Sequence, residues 1–228
     1  SVRLLLQLGQ EHGLSTEQVL DGTGLSMAAF DDRKLEIEAS DELRVIGNLV
    51  RLLPHVPWLG LEAGSRYHLT SYGIWGYALI SSPTLHSAAD LALRYVNLTY
   101  AFTHVSMETS NGVTAFSFGD LEVPPDVRRF IVDRDTVGLR VLQKDVFQSA
   151  IPLLRVTFKG PAPSYAAMYA QHFGVMPEFN ASSNRAEFPS HYLDLPLPQA
   201  NEATMAMCEE MCRELINHRR SRHGCAAV

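Results

Sequence analysis

The chain has 228 residues, 46% of them hydrophobic, and a formal net charge of −6, enough to bury roughly 70–75% of its unfolded surface in one large or two small domains. The acidic balance excludes a module that grips nucleic acid through a basic face of its own. No apolar run approaches the ~18–20 residues of a membrane span, and Leu4-Leu5-Leu6 is too short for a signal-peptide core. Cys208, Cys212 and Cys225 all lie near the carboxyl end, so no disulfide framework spans the chain, and a soluble, cytoplasmic protein with reduced thiols is expected.

Leu14-Ser15-Thr16-Glu17-Gln18-Val19 predicts a capping box, Ser15 with Gln18, under a Leu14/Val19 staple, opening a short helix to about Asp21. Gly22 to Gly24 turn the chain, and Ser26 can cap a further short helix through Phe30. Short helices in series suggest a helix-turn-helix, yet a DNA-reading helix needs exposed Arg, Lys, Asn or Gln. This stretch offers Asp21, Asp31 and Asp32, so no DNA contact is expected there.

Ser40 is the expected cap of a helix from Asp41 to Leu53, stopped by Pro54 and Pro57, and Trp58 to Tyr67 reads as another short helix. The apolar run Gly73 to Ile80 carries two glycines and belongs in an interior. Ser81, Ser82, Pro83 and Thr84 punctuate it, with Ser82 or Thr84 as cap of a largely covered helix from Leu85 to about Val96, on which Asp90 and Arg94 can pair. Residues 1–100 are therefore predicted almost wholly helical.

The character then changes. His104–Thr109 and Val113–Phe118 flank Asn111-Gly112, the strongest short hairpin signal. Pro124-Pro125 opens a long helix to Phe147, with Arg128, Arg129, Arg134, Arg140 and Lys144 expected beside Asp133 and Asp135 on its wet sides. Leu153–Phe158 alternates like a strand, Ser164–Phe173 is a helix ended by Gly174, and Phe179 with Arg185–Phe188 reads as a second hairpin. The fold class predicted is α+β: a helical amino-terminal half, then a small, mostly antiparallel sheet with packed helices over 101–200. Asn201 caps a last helix whose stripe of Met205, Cys208, Met211, Cys212, Leu215 and Ile216 packs on its own domain or on a second copy.

Two stretches resemble a known family. Gly73-Ile-Trp-Gly-Tyr-Ala-Leu-Ile-Ser-Ser-Pro-Thr-Leu85, with Ala88 to Leu93 and Arg94-Tyr95, is similar to a segment of the amino-terminal effector domain of AraC-type transcription regulators, in the group labelled arabinose-binding. Pro161-Ala-Pro-Ser-Tyr165, Phe173-Gly174, Phe179, Asn184, Phe188 and Leu193-Asp-Leu-Pro-Leu-Pro-Gln-Ala200 resemble that domain's later pattern, in the right order. The resemblance implies an effector-sensing domain over 1–200 and, in 201–228, a linker or dimerisation helix leading to a helix-turn-helix DNA-binding domain outside this chain. It implies a small-molecule effector, DNA contact only through that further domain, and a homodimer, as regulators of two-fold sites tend to be. It does not identify the effector: sugar, amino acid and fatty acid stay open.

For chemistry the residues themselves offer little. Cys208 and Cys212 lie four apart on one face without a third ligand, His218 and His223 stand beside arginines, and His172 with His191 flank the second hairpin. These read as core, tail and packed side chains, so no metal and no cofactor is expected. No G-x-S-x-G, H-E-x-x-H, P-loop or dinucleotide fingerprint occurs, and no catalytic residue is assigned. The pocket expected instead gathers Trp58, Tyr72, Trp75 and Tyr77, with Tyr67 and Phe102 nearby, and Arg66, His68 and Arg94 as polar groups that orient a ligand, an arginine favouring a carboxylate. Alternatives from other classes are a ligand-free dimerisation module, in which the aromatics merely fill the core, and a small-molecule hydrolase. Failure of every ligand to raise the melting temperature marks the first, and turnover marks the second.

Overall fold

A computed structural model describes residues 1–31, 37–119 and 123–224, with side chains to 218 and excluding that of 31. The expectations made of Asp31, Asp32, His223 and Cys225 lie outside the described residues.

The helical half comprises α1 (Val2–Glu11), α2 (Thr16–Leu20), α3 (Ala39–Leu52), α4 (Leu59–Gly64), α5 (Ile74–Ile80) and α6 (Leu85–Arg94). After it come β1 (Val105–Ser110), β2 (Val113–Phe118), α7 (Pro125–Phe147), β3 (Arg155–Thr157), α8 (Tyr169–Phe173), β4 (Asn184–Pro189) and α9 (Glu202–Gly224). The four strands form one sheet in the order β1-β2-β4-β3, every ladder antiparallel. The α+β class is as the sequence predicts.

Local chemistry sets most boundaries. Ser15 Oγ accepts from Gln18 N–H while Gln18 returns a bond to Ser15 N–H, closing the capping box. Thr84 rather than Ser82 caps α6, in a box with Ser87. Asn111 and Gly112 both take positive φ, as the tight turn between β1 and β2 requires. Gly174 ends α8 in the left-handed region. Asn201 Oδ1 accepts from Thr204 N–H at the head of α9, whose Cys208 and Cys212 are buried.

Some expectations are corrected. Ser40 lies inside the first turn of α3, which begins at Ala39 without a side-chain cap. No second hairpin forms: β4 fills the gap between β2 and β3, and Phe179 instead stacks on Phe158, within an aromatic cluster that Tyr169 joins. Asp90 pairs with His86, and Arg94 reaches Glu209 on α9. The largest correction concerns α7. Asp133, Arg134 and Arg140, assigned to wet sides, are buried, because the middle of this helix is enclosed by apolar neighbours on every side, while Arg128 and Lys144 nearer its ends are exposed as expected.

The apolar interior divides in two. One core packs α1, α2, α3 and α4 on the first half of α7, reaching Phe158, Tyr169 and Phe173. The other packs α5, α6 and α9 against Leu142, Val146, Ile151 and Phe188. Helix α7, about 34 Å long at 1.5 Å per residue, contributes to both. Its contact with α4 is unusually close. A Cβ on Gly60 would come within 2.6 Å of Phe130 O, and one on Gly64 within 2.6 Å of Arg134 O. Glycines four apart on one face of α4 are what permit that approach.

Candidate functional site

A cavity of about 160 Å³ lies between the two cores. Helix α6 contributes Leu85, Ala88, Ala89 and Ala92, and the sheet contributes Phe116, Phe118, Val156 and Phe188. Helix α7 supplies a wall from Arg134 to Val146, and an aromatic group of Tyr67, Tyr72, Trp75 and Tyr100 closes one side. Tyr72 is the hub of that group, its ring centroid 5.0 Å from Trp75, 5.4 Å from Tyr100 and 6.3 Å from Tyr67. The lining is overwhelmingly apolar, and its small residues on α6 are the reason the space is open: alanines at three positions leave unfilled the volume that leucines would take.

Of the residues singled out from sequence, the structure brings Tyr72 and Trp75 to this cavity, together with Tyr67. The others lie elsewhere. Trp58 donates its indole N–H to Glu62 at 3.0 Å on the outer side of α4. Arg66 is held by both carboxylate oxygens of Glu11, at 2.9 and 2.5 Å, a pair that raises the guanidinium pKa. His68 faces Asp145 at 3.0 Å. Tyr77 is 60% exposed, and Arg94 ties α6 to α9 through Glu209. Phe102 lies under the guanidinium of Arg134, 5.4 Å from centroid to charge.

Most of the charged groups that line the cavity come from α7, where sequence patterning placed only solvent-facing charge; Arg185 on β4 is the other. Arg134, 2% exposed, donates to Glu42 at 2.7 Å, to Asp135 at 2.9 Å and to the Tyr100 carbonyl at 2.8 Å. Burial works against its charge, but Asp135, Tyr67 and Glu42 outweigh that and raise its pKa. Asp135 is equally occupied, accepting from the Phe102 and Thr103 amides and from the Thr103 hydroxyl. Two residues before Asp135, Asp133 accepts from Tyr165 and Tyr169 at 2.8 and 2.6 Å, with Arg129 alongside; burial nevertheless pushes its carboxyl up. These are scaffold contacts.

Arg140 differs. It is 8% exposed and lines the cavity, yet it has no carboxylate partner among the described residues. It donates to Gln143 through Nη1, and its Nε is buried with no partner. Burial lowers its pKa, and an arginine keeps its charge in a protein all the same. The indole N–H of Trp75 is likewise buried without an acceptor. The signal that could have found Arg140 in the sequence is the missing polar face of its helix, which predicts that some of its charges are buried.

Comparison with known proteins agrees with this architecture. A family described as the arabinose-binding domain of AraC transcription regulators, at the N-terminal side, matches residues 13–197. An uncharacterised HTH-type transcriptional regulator of Mycobacterium tuberculosis is 29% identical over 243 residues, covering 100% of this chain and 67% of that protein. The ornithine utilization regulator of Pseudomonas aeruginosa is 28% identical over 214 residues, covering 93% of this chain and 62% of that one. The crystal structure of the transcriptional regulator CdpR from Pseudomonas aeruginosa shares the fold, with a TM-score of 0.65 at 20% identity, over 89% of this chain and 59% of that one. The chain thus spans about two thirds or less of the proteins it matches.

Proposed function

The chain belongs to the AraC-type transcription regulators, as their N-terminal arabinose-binding domain, and from that premise we propose that it senses a small-molecule effector in the cavity between its two cores. The observation that carries this reading is the cavity itself: a preformed, largely apolar space with a few convergent polar groups, walled by the helix common to both cores. Occupancy stabilises the arrangement of α5, α6 and α7 that fits the ligand, and a ligand shifts such an equilibrium only by its difference in affinity for the two states, ordinarily ~1–3 kcal/mol. Helix α9 packs on α5 and is tied to α6 by Glu209, contacts that support a reading in which α9 carries the change to a DNA-binding domain and to a second copy of the chain.

A thermal-shift screen against carboxylates, sugars, amino acids and fatty acids tests it. A ligand at ~100 times its dissociation constant adds about 2.7 kcal/mol and raises the melting temperature by several degrees. The ligand is expected back chemically unaltered. Ala89→Leu, which fills the cavity from α6, is expected to weaken binding at least tenfold while the domain stays folded. Equal binding by that variant, or turnover of the ligand, overturns the reading.

A further inference from the structure

Three arginines line the cavity: Arg134, Arg140 and Arg185. Arg134 is saturated by Glu42, Asp135 and Tyr100, and Arg185 pairs with Glu108 and Glu187. Arg140 alone among them meets no anion, although it is more than nine-tenths buried. A desolvated guanidinium without a counter-charge is costly, and the cost is removed by a ligand that brings the charge.

The remaining polar groups sharpen the chemistry. The Thr99, Thr103 and Thr136 hydroxyls donate to Val96 O, Asp135 and Val132 O. Asp135 has both oxygens engaged. What is left unpartnered and buried is donors: the Arg140 Nε–H and the Trp75 indole N–H. A dibasic amino acid would bring ammonium charge beside a guanidinium that already lacks a counter-charge, and a neutral sugar would bring no anion to meet it. A phosphate monoester would bring more charge and more acceptors than one guanidinium and one indole satisfy. A single carboxylate, planar and matched to the guanidinium fork, fits.

Resting on the sensor reading above, we propose that the effector is an apolar monocarboxylic acid, its carboxylate held by Arg140 and its body among Trp75, Leu79, Leu142, Ile151 and Phe188. The body is small. A void of about 160 Å³ is close to one that holds a benzene-sized ligand, which selects short-chain or single-ring acids over long fatty acids. Gln143, which now receives the Arg140 Nη1 bond, also accepts from the Ile151 amide and donates to the Ser149 carbonyl. A carboxylate that competes for Arg140 therefore also reaches the turn after α7.

The test is calorimetric titration of the chain with phenylacetate and hexanoate, against their primary amides and against hexyl phosphate, in wild type, Arg140→Met and Ala89→Leu. The acids are expected to bind at least tenfold more tightly than the amides and than the phosphate. Arg140→Met is expected to bring the acids down to the amide level, while ligand-free Arg140→Met melts no lower than wild type, since a buried unpaired charge has been replaced by an apolar chain of similar length. Arg140→Lys, with the charge but not the fork, is expected in between. Amides binding as well as acids, with Ala89→Leu still weakening both, overturns the carboxylate and leaves the sensor intact. Arg140→Met that melts well below wild type shows a structural cation and overturns the proposal. Binding of no compound in the set by wild type overturns it as well. A sugar or amino acid hit whose affinity falls in Ala89→Leu preserves the sensor, and shifts insensitive to that substitution sink both.

Discussion

Tyr67, Tyr72, Tyr165 and Tyr169 carry phenols that burial pushes above their ordinary value, Tyr67 and Tyr165 to about 12. The phenolate is the disfavoured form, so folded and unfolded chains bind protons alike below the unfolded value near ~10, and the folded chain holds more of them above it. Stability is therefore expected to fall as the pH rises from about 10 towards about 12. The ultraviolet absorbance of tyrosinate is expected to lag that of the denatured chain and to rise with unfolding. Four phenols titrating normally in the folded state would contradict the burial described. At this scale the sequence was only partly legible. Tyr72 and Trp75 stood out because a glycine-flanked aromatic run has few uses other than an interior. Arg134 did not, because its environment is made at long range: Glu42 lies 92 residues away, and nothing in the spacing of α7 names that partner, while Arg140 was signalled only by the lack of a wholly polar face on its helix.

Among elements, the α4–α7 crossing gives the sharpest expectation. Helix propensity alone favours Gly64→Ala by about 1 kcal/mol. The clash decides otherwise, since the new methyl would sit 2.6 Å from Arg134 O and 2.8 Å from Val137 Cβ, and overpacking against a backbone atom costs about 1–3 kcal/mol. Gly64→Ala is thus expected to lower the melting temperature. Gly47→Ala on α3, where the nearest atom is 3.9 Å away, is expected to hold or raise it; differential scanning calorimetry of the pair separates packing from propensity. Elements were legible where their signals are local: the Ser15 box, the Asn111-Gly112 turn and the Gly174 cap each act within a few residues. The pairing of β4 with both β2 and β3 was not, because a strand flanked by partners on either side carries no turn of its own to declare them.

For the molecule as a whole, α9 has two characters. Cys208 and Cys212 are buried in the second core, while Met207, Met211 and Leu215 stand exposed at helical spacing on another face. If that ridge pairs two copies of the chain, sedimentation velocity is expected to give a dimer, and Met211→Glu with Leu215→Glu a monomer of unchanged melting temperature at low concentration. A wild-type monomer at micromolar concentration would remove the pairing from the functional reading and leave the cavity untouched.

The division of labour along α7 has a consequence for descent. The arginine at 134 is bonded into the frame by Glu42, Asp135 and Tyr100, and the one at 140 is not. Six positions separate a side chain that the fold depends on from one that it can spare. A lineage can therefore exchange the second for a neutral or acidic residue and change which molecules it answers to, in a single codon, while the frame passes to its offspring unaltered.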